Sequence, residues 1–190
     1  MNITTISILV IGAALALYGI TIYNGLVALK HNITKAWSNI DVLLKQRHEE
    51  LPKLVEVCEQ YMEFEQETLE RVITARSAVS SARASGDARQ LGAAETMMRQ
   101  GLGGLFALAE NYPDLKANET FQHLQERISS LENSIADRRE FYNESVNMNN
   151  VRIEQFPDVL VARWFTFGPS DLLEFSVEET KDVNLKSLFS

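Results

Sequence analysis

The sequence predicts an all-α protein, in which an N-terminal transmembrane helix continues into an antiparallel up-down-up-down four-helix bundle. Three observations predict this fold. Every residue from Ile3 to Leu29 is uncharged, the later apolar residues recur at helical spacing, and no stretch alternates strictly between apolar and polar residues as a strand would. Proline, which interrupts helices, occurs at only four positions.

The uncharged N-terminal stretch predicts a membrane span over residues 3–27. A spanning helix needs about 20 mostly apolar residues, and the first charged side chain of the chain is Lys30. A cleaved signal peptide or a buried core helix would also be apolar. A signal peptide is disfavoured, because no basic residue precedes the stretch and its small-residue run at Ala14 and Ala16 lies inside it.

The basic residues near the span predict its orientation. Lys30, Lys35, Lys45 and Arg47 all follow it, and basic residues favour the cytoplasmic side of a membrane. We therefore expect a single-pass protein of the cell (inner) membrane with its bundle in the cytoplasm. The extracytoplasmic side stays open as the alternative.

The first helix is expected to leave the bilayer without a break. Apolar residues at spacings of four, three and four indicate one helix face, and they are Ile33, Trp37, Ile40 and Leu44. Pro52 then marks either the first position of a second helix or a kink, and we favour the first interpretation.

Three further helices follow in the prediction, at Pro52 to about Ala84, Asp87 to Asn111, and Asn118 to about Asn150. Each carries an apolar stripe at spacings of three and four. The stripes are Val55, Cys58, Met62, Leu69, Val72 and Val79; Leu91, Met98, Leu102, Leu105 and Leu108; and Phe121, Leu124, Ile128, Leu131 and Ile135. Turns are expected at Ser85-Gly86-Asp87 and Tyr112-Pro113-Asp114, with Asp87 and Asn118 as N-caps.

Short turns between four amphipathic helices leave few arrangements other than a bundle, which we assign to residues 28–155. The fourth helix must then return toward the bilayer and bring residues 156–190 to the membrane-proximal end. In this segment Trp164, Phe165 and Phe167 are either interfacial or bundle-closing aromatic residues. We favour closure, with Phe156, Leu160, Trp164 and Phe167 folding back onto the bundle, and we expect a mobile tail from Val177.

Composition excludes several functional classes. The net charge of −8 and the absence of a Lys or Arg cluster argue against nucleic acid as a partner. Cys58 is expected to be a small buried hydrophobe. No Glu precedes a histidine by three residues, as a di-iron bundle requires, so the sequence predicts no metal, no cofactor and no enzyme.

Polar and small residues give the candidate sites. Five polar residues fall on or beside inward faces, where we expect interhelical pairing that fixes register, or a polar site between helices; they are Asp41, Glu65, Arg76, Arg139 and Asn143. Small residues at spacings of four and three in the span form a seam for self-association, at Gly12, Ala16 and Gly19.

The residue strings also resemble the LemA family of membrane-anchored bacterial helical proteins over nearly the whole chain. The strings that carry the resemblance are Tyr23-Asn24, Ala36-Trp37-Ser38, Ile40-Asp41-Val42, Leu44-Lys45, Arg47, Pro52, Leu54-Val55-Glu56, Tyr112-Pro113-Asp114-Leu115-Lys116-Ala117-Asn118-Glu119, Phe121, Glu132-Asn133, Arg139, Phe141-Tyr142-Asn143 and Phe156-Pro157. Two places differ from the family pattern. One is the glycine-rich Gly101 to Gly104, which means either close helix contact or a loose segment, and the other is Leu172 to Phe175.

The resemblance implies a transmembrane helix with an antiparallel four-helix bundle, and no catalytic residues. A magnetosome-membrane member of the family implies a role in organising membranes. Members encoded near membrane metalloproteases or phosphatase-like domains imply an adaptor.

We therefore expect a non-catalytic membrane scaffold or membrane-organising protein that forms a homo-oligomer. The alternative is an adaptor or regulator that presents its bundle to a membrane protease or a signalling partner. An enzyme with a site close to the membrane is a third hypothesis.

Overall fold

The computed structural model describes residues 2–62 and 64–174, and these residues form an all-α protein with six helices. The helices are α1 (Ile3–Glu59), α2 (Gln66–Ser85), α3 (Ala88–Ala109), α4 (Pro113–Lys116), α5 (Glu119–Glu154) and α6 (Asp158–Trp164). The expected tail from Val177, and Phe175 before it, lie outside the described residues. The all-α class is as predicted.

The chain divides into two compact units, to each of which α1 and α5 both contribute. Of the described residues, the first unit contains 2–39 and 140–172, and the second contains 40–62, 64–139 and 173–174. The first unit is thus built from the N-terminal part of α1, the C-terminal part of α5, and α6. The second holds the rest of α1 and α5 together with α2, α3 and α4.

The second unit has a core of apolar side chains from α1, α2, α3 and α5. Every predicted stripe residue from Val55 to Leu105, and every one on α5, is buried. Leu108 is half-buried. Burial of each large apolar side chain contributes roughly 1.5–3 kcal/mol before the loss of chain entropy is subtracted, so the helical periodicity correctly identified the core.

The predicted caps between these helices are also confirmed. Gly86 adopts a left-handed conformation with φ of 70°, and the Asp87 carboxylate accepts hydrogen bonds from the backbone N–H groups of Arg89 and Gln90 at 2.9 and 3.1 Å. The Asn118 side chain accepts from the N–H of Phe121 at 3.0 Å. Each cap pairs a donor that the first turn of a helix leaves unsatisfied.

The prediction that Pro52 begins a new helix is wrong. Helix α1 continues through Pro52 and ends at Glu59, and α2 begins only at Gln66. Proline lacks an N–H, so the carbonyl of His48, four residues earlier, loses its helical partner. The Arg76 Nε of α2 donates to that carbonyl at 3.1 Å, and this bond from a neighbouring helix lets α1 remain continuous.

Glycines on α3 have two different environments. A Cβ on Gly101 would lie 3.5 Å from the Val72 side chain, which is ordinary contact, and Gly103 and Gly104 have open space around them. A Cβ on Gly92 would lie 2.9 Å from the Glu174 carbonyl oxygen. The tightest backbone approach therefore occurs at Gly92, where the chain after α6 crosses α3, while at Gly101 the Val72 backbone of α2 would lie at an ordinary contact distance of 3.7 Å from a Cβ.

We predict that Arg76 and Pro52 are energetically coupled. Arg76→Ala should lower the free energy of unfolding by about 1–3 kcal/mol, because it leaves the His48 carbonyl without its donor. In a Pro52→Ala background the restored N–H can bond that carbonyl, so Arg76→Ala should cost at least about 1 kcal/mol less. Denaturant unfolding of the four variants measures the coupling. Arg71→Ala, an exposed α2 residue paired with Glu67, should cost the same in both backgrounds, and an equal cost for Arg76→Ala would contradict the prediction.

We also predict opposite effects of alanine at two glycines of α3. Gly103→Ala should stabilise the protein by about 0.8–1 kcal/mol, since alanine has the higher helix propensity and the position is open. Gly92→Ala should destabilise it, because the new Cβ meets backbone that cannot move aside cheaply. Thermal unfolding monitored by circular dichroism compares the two variants, and a stabilising Gly92→Ala would show that residues 173–174 do not rest on α3.

Candidate functional site

The exposed part of α1 is the most distinctive surface of the first unit. Residues 3–21 are exposed apart from the half-buried Gly19, and the most apolar 18-residue window of α1 has a mean hydropathy of 2.2 with none of it buried. Among the described helices, α1 is the one long and apolar enough to cross a membrane. The seam residues Gly12, Ala16 and Gly19 all lie in this stretch, and no described atom would contact a Cβ on Gly12 or Gly19.

The exposed stretch ends where α1 enters the core of the first unit. Ile22 and Leu26 are buried against Ile153 and Ala162, and Val161 and Phe167 pack on this cluster. One face of the last part of the predicted 3–27 segment is therefore covered by protein, while Tyr23 and Asn24 remain exposed.

Aromatic residues surround the end of the exposed stretch. The ring centroid of Tyr23 lies 4.7 Å from that of Phe165 and 5.7 Å from that of Phe167. The structure thus brings the segment after α6 against α1 at the end of the apolar surface.

The favoured bundle-closing role of these residues is wrong for three of the four side chains. Phe156, Leu160 and Trp164 are 80%, 59% and 84% exposed. Leu160 and Trp164 are four residues apart on one face of α6, whereas Ala162 on another face is buried in the cluster, and Phe156 precedes the helix. Phe167 packs on the core as expected, and Phe165 is 53% exposed beside Tyr23.

Side-chain hydrogen bonds hold the chain after α6 against α5. Asn150 donates through Nδ2 to the Ser170 carbonyl at 3.0 Å and accepts from the Ser170 N–H at 2.9 Å. The Asn149 amide donates to the Gly168 carbonyl at 3.3 Å, and the Tyr142 hydroxyl donates to the Asp171 carbonyl at 3.0 Å. Burial, followed by the Asp171 charge, raises the pKa of Tyr142, so its hydroxyl remains a donor.

A buried ion cluster joins three helices of the second unit. Arg47 on α1 is 1% exposed and forms a two-pronged pair with Glu95 on α3, with N–O distances of 2.5 and 3.0 Å. The same guanidinium donates to Glu132 on α5. Burial alone lowers the pKa of Arg47, but the two carboxylates outweigh it and the pKa is raised. Arg47 therefore stays charged, and it is not one of the free basic groups that follow the apolar stretch.

Sequence reasoning missed this cluster as a site, although a signal was present. Arg47 lies three residues after Leu44 and four before Leu51, and Glu95 lies four after Leu91 and three before Met98. An arginine and a glutamate that each replace a stripe residue indicate an internal pair.

The five polar residues predicted from sequence lie in several different environments. Asp41 on α1 pairs with Arg83 on α2 at 2.5 Å. Glu65 accepts from the Tyr112 hydroxyl at 3.4 Å, Arg76 donates to the His48 carbonyl, and Arg139 donates to the Glu174 carbonyl at 3.3 Å. Asn143 is half-buried on α5. The structure does not gather the five into one site.

Two further ionisable side chains of α1, Cys58 and His48, have shifted pKa values. Burial raises the pKa of Cys58 to about 12, so the thiol is protonated and unreactive at neutral pH. Burial and the charges of Arg76 and Arg83 lower the pKa of His48. In the residues that the structure describes, no three His, Cys, Asp or Glu side chains are grouped to hold a metal.

The comparisons with known proteins identify the family. The sequence profile of the LemA family matches residues 36–186. The chain belongs to the LemA family.

Relatives of this LemA-family chain include three magnetosome proteins. It is 24% identical to the magnetosome protein MamQ of Magnetospirillum gryphiswaldense in an alignment of 161 positions that covers 71% of this chain and 58% of that protein. It is 36% identical over 56 residues to each of two MamQ proteins of Paramagnetospirillum magneticum. Those 56 residues are 30% of this chain and 21% of each relative, so the chain spans about a fifth of their length.

We predict that Arg47→Met destabilises the protein by about 3–5 kcal/mol at neutral pH, since it leaves the buried Glu95 carboxylate without its cation, whereas Glu132 keeps Arg99 at 4.0 Å. The triple variant Arg47→Met, Glu95→Leu, Glu132→Leu should recover most of that loss, because apolar side chains replace the whole cluster. Urea unfolding of the detergent-solubilised full chain measures both. Lys45→Met, two residues away and exposed, should change stability by less than about 0.5 kcal/mol. Equal losses of stability in Arg47→Met and Lys45→Met would show that the ion cluster does not stabilise the fold.

Proposed function

We propose that this chain is a non-catalytic, single-pass protein of the cell membrane that acts as a scaffold or membrane organiser through self-association. The observation that carries the proposal is the abrupt change along α1. Residues 3–21 expose an apolar surface, and Ile22 immediately after them is buried.

Lipid is the environment that this surface fits. At 1.5 Å per residue the exposed stretch is about 28 Å long, close to the roughly 30 Å hydrocarbon thickness of a bilayer. Its Ser7 and Thr21 hydroxyls donate to the carbonyls of Ile3 and Tyr18, so these polar groups are satisfied inside the helix, as hydrocarbon requires. Three exposed lysines, Lys30, Lys35 and Lys45, follow the stretch and favour the cytoplasmic side for the body.

For the second unit we propose the antiparallel up-down-up-down bundle. The order of the cross-helix bonds supports it. Going along α1 from Asp41 to His48, the α2 partners run backwards from Arg83 to Arg76. From Arg47 to Glu50, the α5 partners run backwards from Glu132 to Arg127. Helix α3 follows α2 after a tight turn at Gly86, so it would run parallel to α1.

Self-association is proposed through the seam of Gly12, Ala16 and Gly19. Small side chains let the backbones of two spans approach closely, which is how helices associate in lipid. The relatives named as magnetosome proteins support a role at a membrane. The non-catalytic part is supported by the buried Arg47, whose guanidinium is occupied by two carboxylates, and by the protonated Cys58 thiol.

Disulfide crosslinking in native membranes tests the proposal. Ala16→Cys should give a homodimer band on mild oxidation, and the added Gly12→Leu and Gly19→Leu substitutions should abolish it by separating the helices. Leu15→Cys, one residue off the seam, is the matched control and should give a weak band. Both are placed in a Cys58→Ala background.

Two outcomes would reject the proposal at different points. Recovery of the chain in the aqueous fraction after alkaline extraction would remove the membrane span. Retention in the membrane with equal bands from Ala16→Cys and Leu15→Cys, or with a single band to another protein, would remove self-association and favour the adaptor.

A further inference from the structure

A cavity of about 490 Å³ lies in the first unit, immediately beyond the exposed apolar stretch. This volume is within the usual range of ligand sites. One wall is the face of α1 that carries Tyr23, Val27, Lys30, His31 and Thr34, and the other wall comes mainly from the chain after α6. Residues four, seven or eight, and eleven positions apart share a helix face, so the wall is continuous.

The α1 wall changes from aromatic to cationic along the helix. Tyr23 is two residues beyond Thr21, and Lys30 is nine residues beyond it, which is about 13 Å along the helix. Long lysine side chains reach back toward the N-terminus of a helix. The ammonium of Lys30 can therefore extend into the polar layer of a bilayer that covers residues 3–21, while Tyr23 lies at its inner edge.

Lys30 and His31 have no acidic partner in the cavity. No Asp or Glu is among its lining residues, and in the part of the chain that the structure describes neither side chain forms an ion pair. For a protein with a net charge of −8, this is a locally cationic recess.

The opposite wall contains a strained threonine. Thr166 has φ of 57°, and the N–H groups of Thr166 and Phe167 bond the carbonyls of Arg163 and Ala162 at 3.4 and 2.9 Å. This is the helix-ending motif in which glycine normally takes the left-handed position. A β-branched residue in this conformation is strained. Compared with glycine, Thr166 adds a hydroxyl group, and this residue lines the cavity.

We propose that this cavity binds the phosphate group of an anionic glycerophospholipid. Lys30 supplies the charge, His31 and the Thr166 hydroxyl supply further donors, and the rings of Tyr23, Phe165 and Phe167 contact the glycerol and ester region. The Thr34 hydroxyl donates to the Lys30 carbonyl at 3.2 Å and is not counted among the donors. The proposal rests on the membrane span proposed above. In this proposal the part of the protein beyond the membrane span also binds lipid and distinguishes lipids by their charge.

Native mass spectrometry of the full chain in a neutral detergent tests the site. Three probes are added separately: dioleoylphosphatidylglycerol, dioleoylphosphatidylcholine and inorganic phosphate. Phosphatidylglycerol should be retained in preference to phosphatidylcholine, and inorganic phosphate should not displace it. Lys30→Gln should weaken retention of phosphatidylglycerol about tenfold, the effect of losing one charge-assisted hydrogen bond. Lys35→Gln is the matched control, since Lys35 is exposed on the same helix but does not line the cavity, and it should retain the lipid like the wild type.

Thr166→Gly separates binding from stability. Glycine relieves the left-handed strain, so the melting temperature should rise, while retention of phosphatidylglycerol should fall several-fold because a donor is lost. A purely structural role for Thr166 would leave lipid retention unchanged.

Several results would overturn the proposal. These are equal retention of the two lipids, equal losses in Lys30→Gln and Lys35→Gln, unchanged retention in Thr166→Gly, or binding of inorganic phosphate without a preference for phosphatidylglycerol. The last result would assign the site to a soluble phosphate compound. Alkaline extraction of the wild type into the aqueous phase would instead reject the membrane span, whatever lipid the solubilised protein retains.

Discussion

The second unit depends on the requirement that the buried charge of Arg47 be neutralised. A guanidinium that is 1% exposed can stay charged only if carboxylates reach it, and these come from α3 and α5. The cluster forms only when α1, α3 and α5 are in the register that places Glu95 and Glu132 beside Arg47.

A buried polar group needs a hydrogen-bond partner, and this requirement also explains why α1 continues through Pro52. The freed carbonyl of His48 is satisfied from α2 by Arg76, so helix α1 is continuous because a second helix packs on it. One unbroken helix therefore carries the apolar N-terminal stretch and also supplies Arg47 to the ion cluster. In the first unit, Asn149, Asn150 and Tyr142 satisfy the backbone of the irregular chain after α6 in a similar way.

Three kinds of residue follow one another along α1 in the first unit. The apolar surface ends at Thr21, the aromatic contacts of Tyr23 follow, and the cationic wall with Lys30 and His31 comes next. Apolar, aromatic and basic residues in this order match the hydrocarbon, interfacial and headgroup layers of a bilayer. The exposed side chains of Phe156, Leu160 and Trp164 also belong to this unit, and tryptophan is enriched at membrane–water interfaces.

The sequence by itself determined what depends on local pattern: the all-α class, the apolar N-terminal stretch, the buried stripes of α2, α3 and α5, and the caps at Asp87 and Asn118. Hydrophobic periodicity and capping act within a few residues, so they can be read from one chain. Only the tertiary structure decided that Pro52 lies inside a helix, that Arg47 joins Glu95 and Glu132, that Ile22 and Leu26 are covered, and that Phe156, Leu160 and Trp164 face outward. Each of these outcomes depends on residues far away in the chain, such as Arg76 for Pro52 and Ile153 with Ala162 for Ile22. A polar or aromatic side chain takes its role from the partner that the fold brings to it.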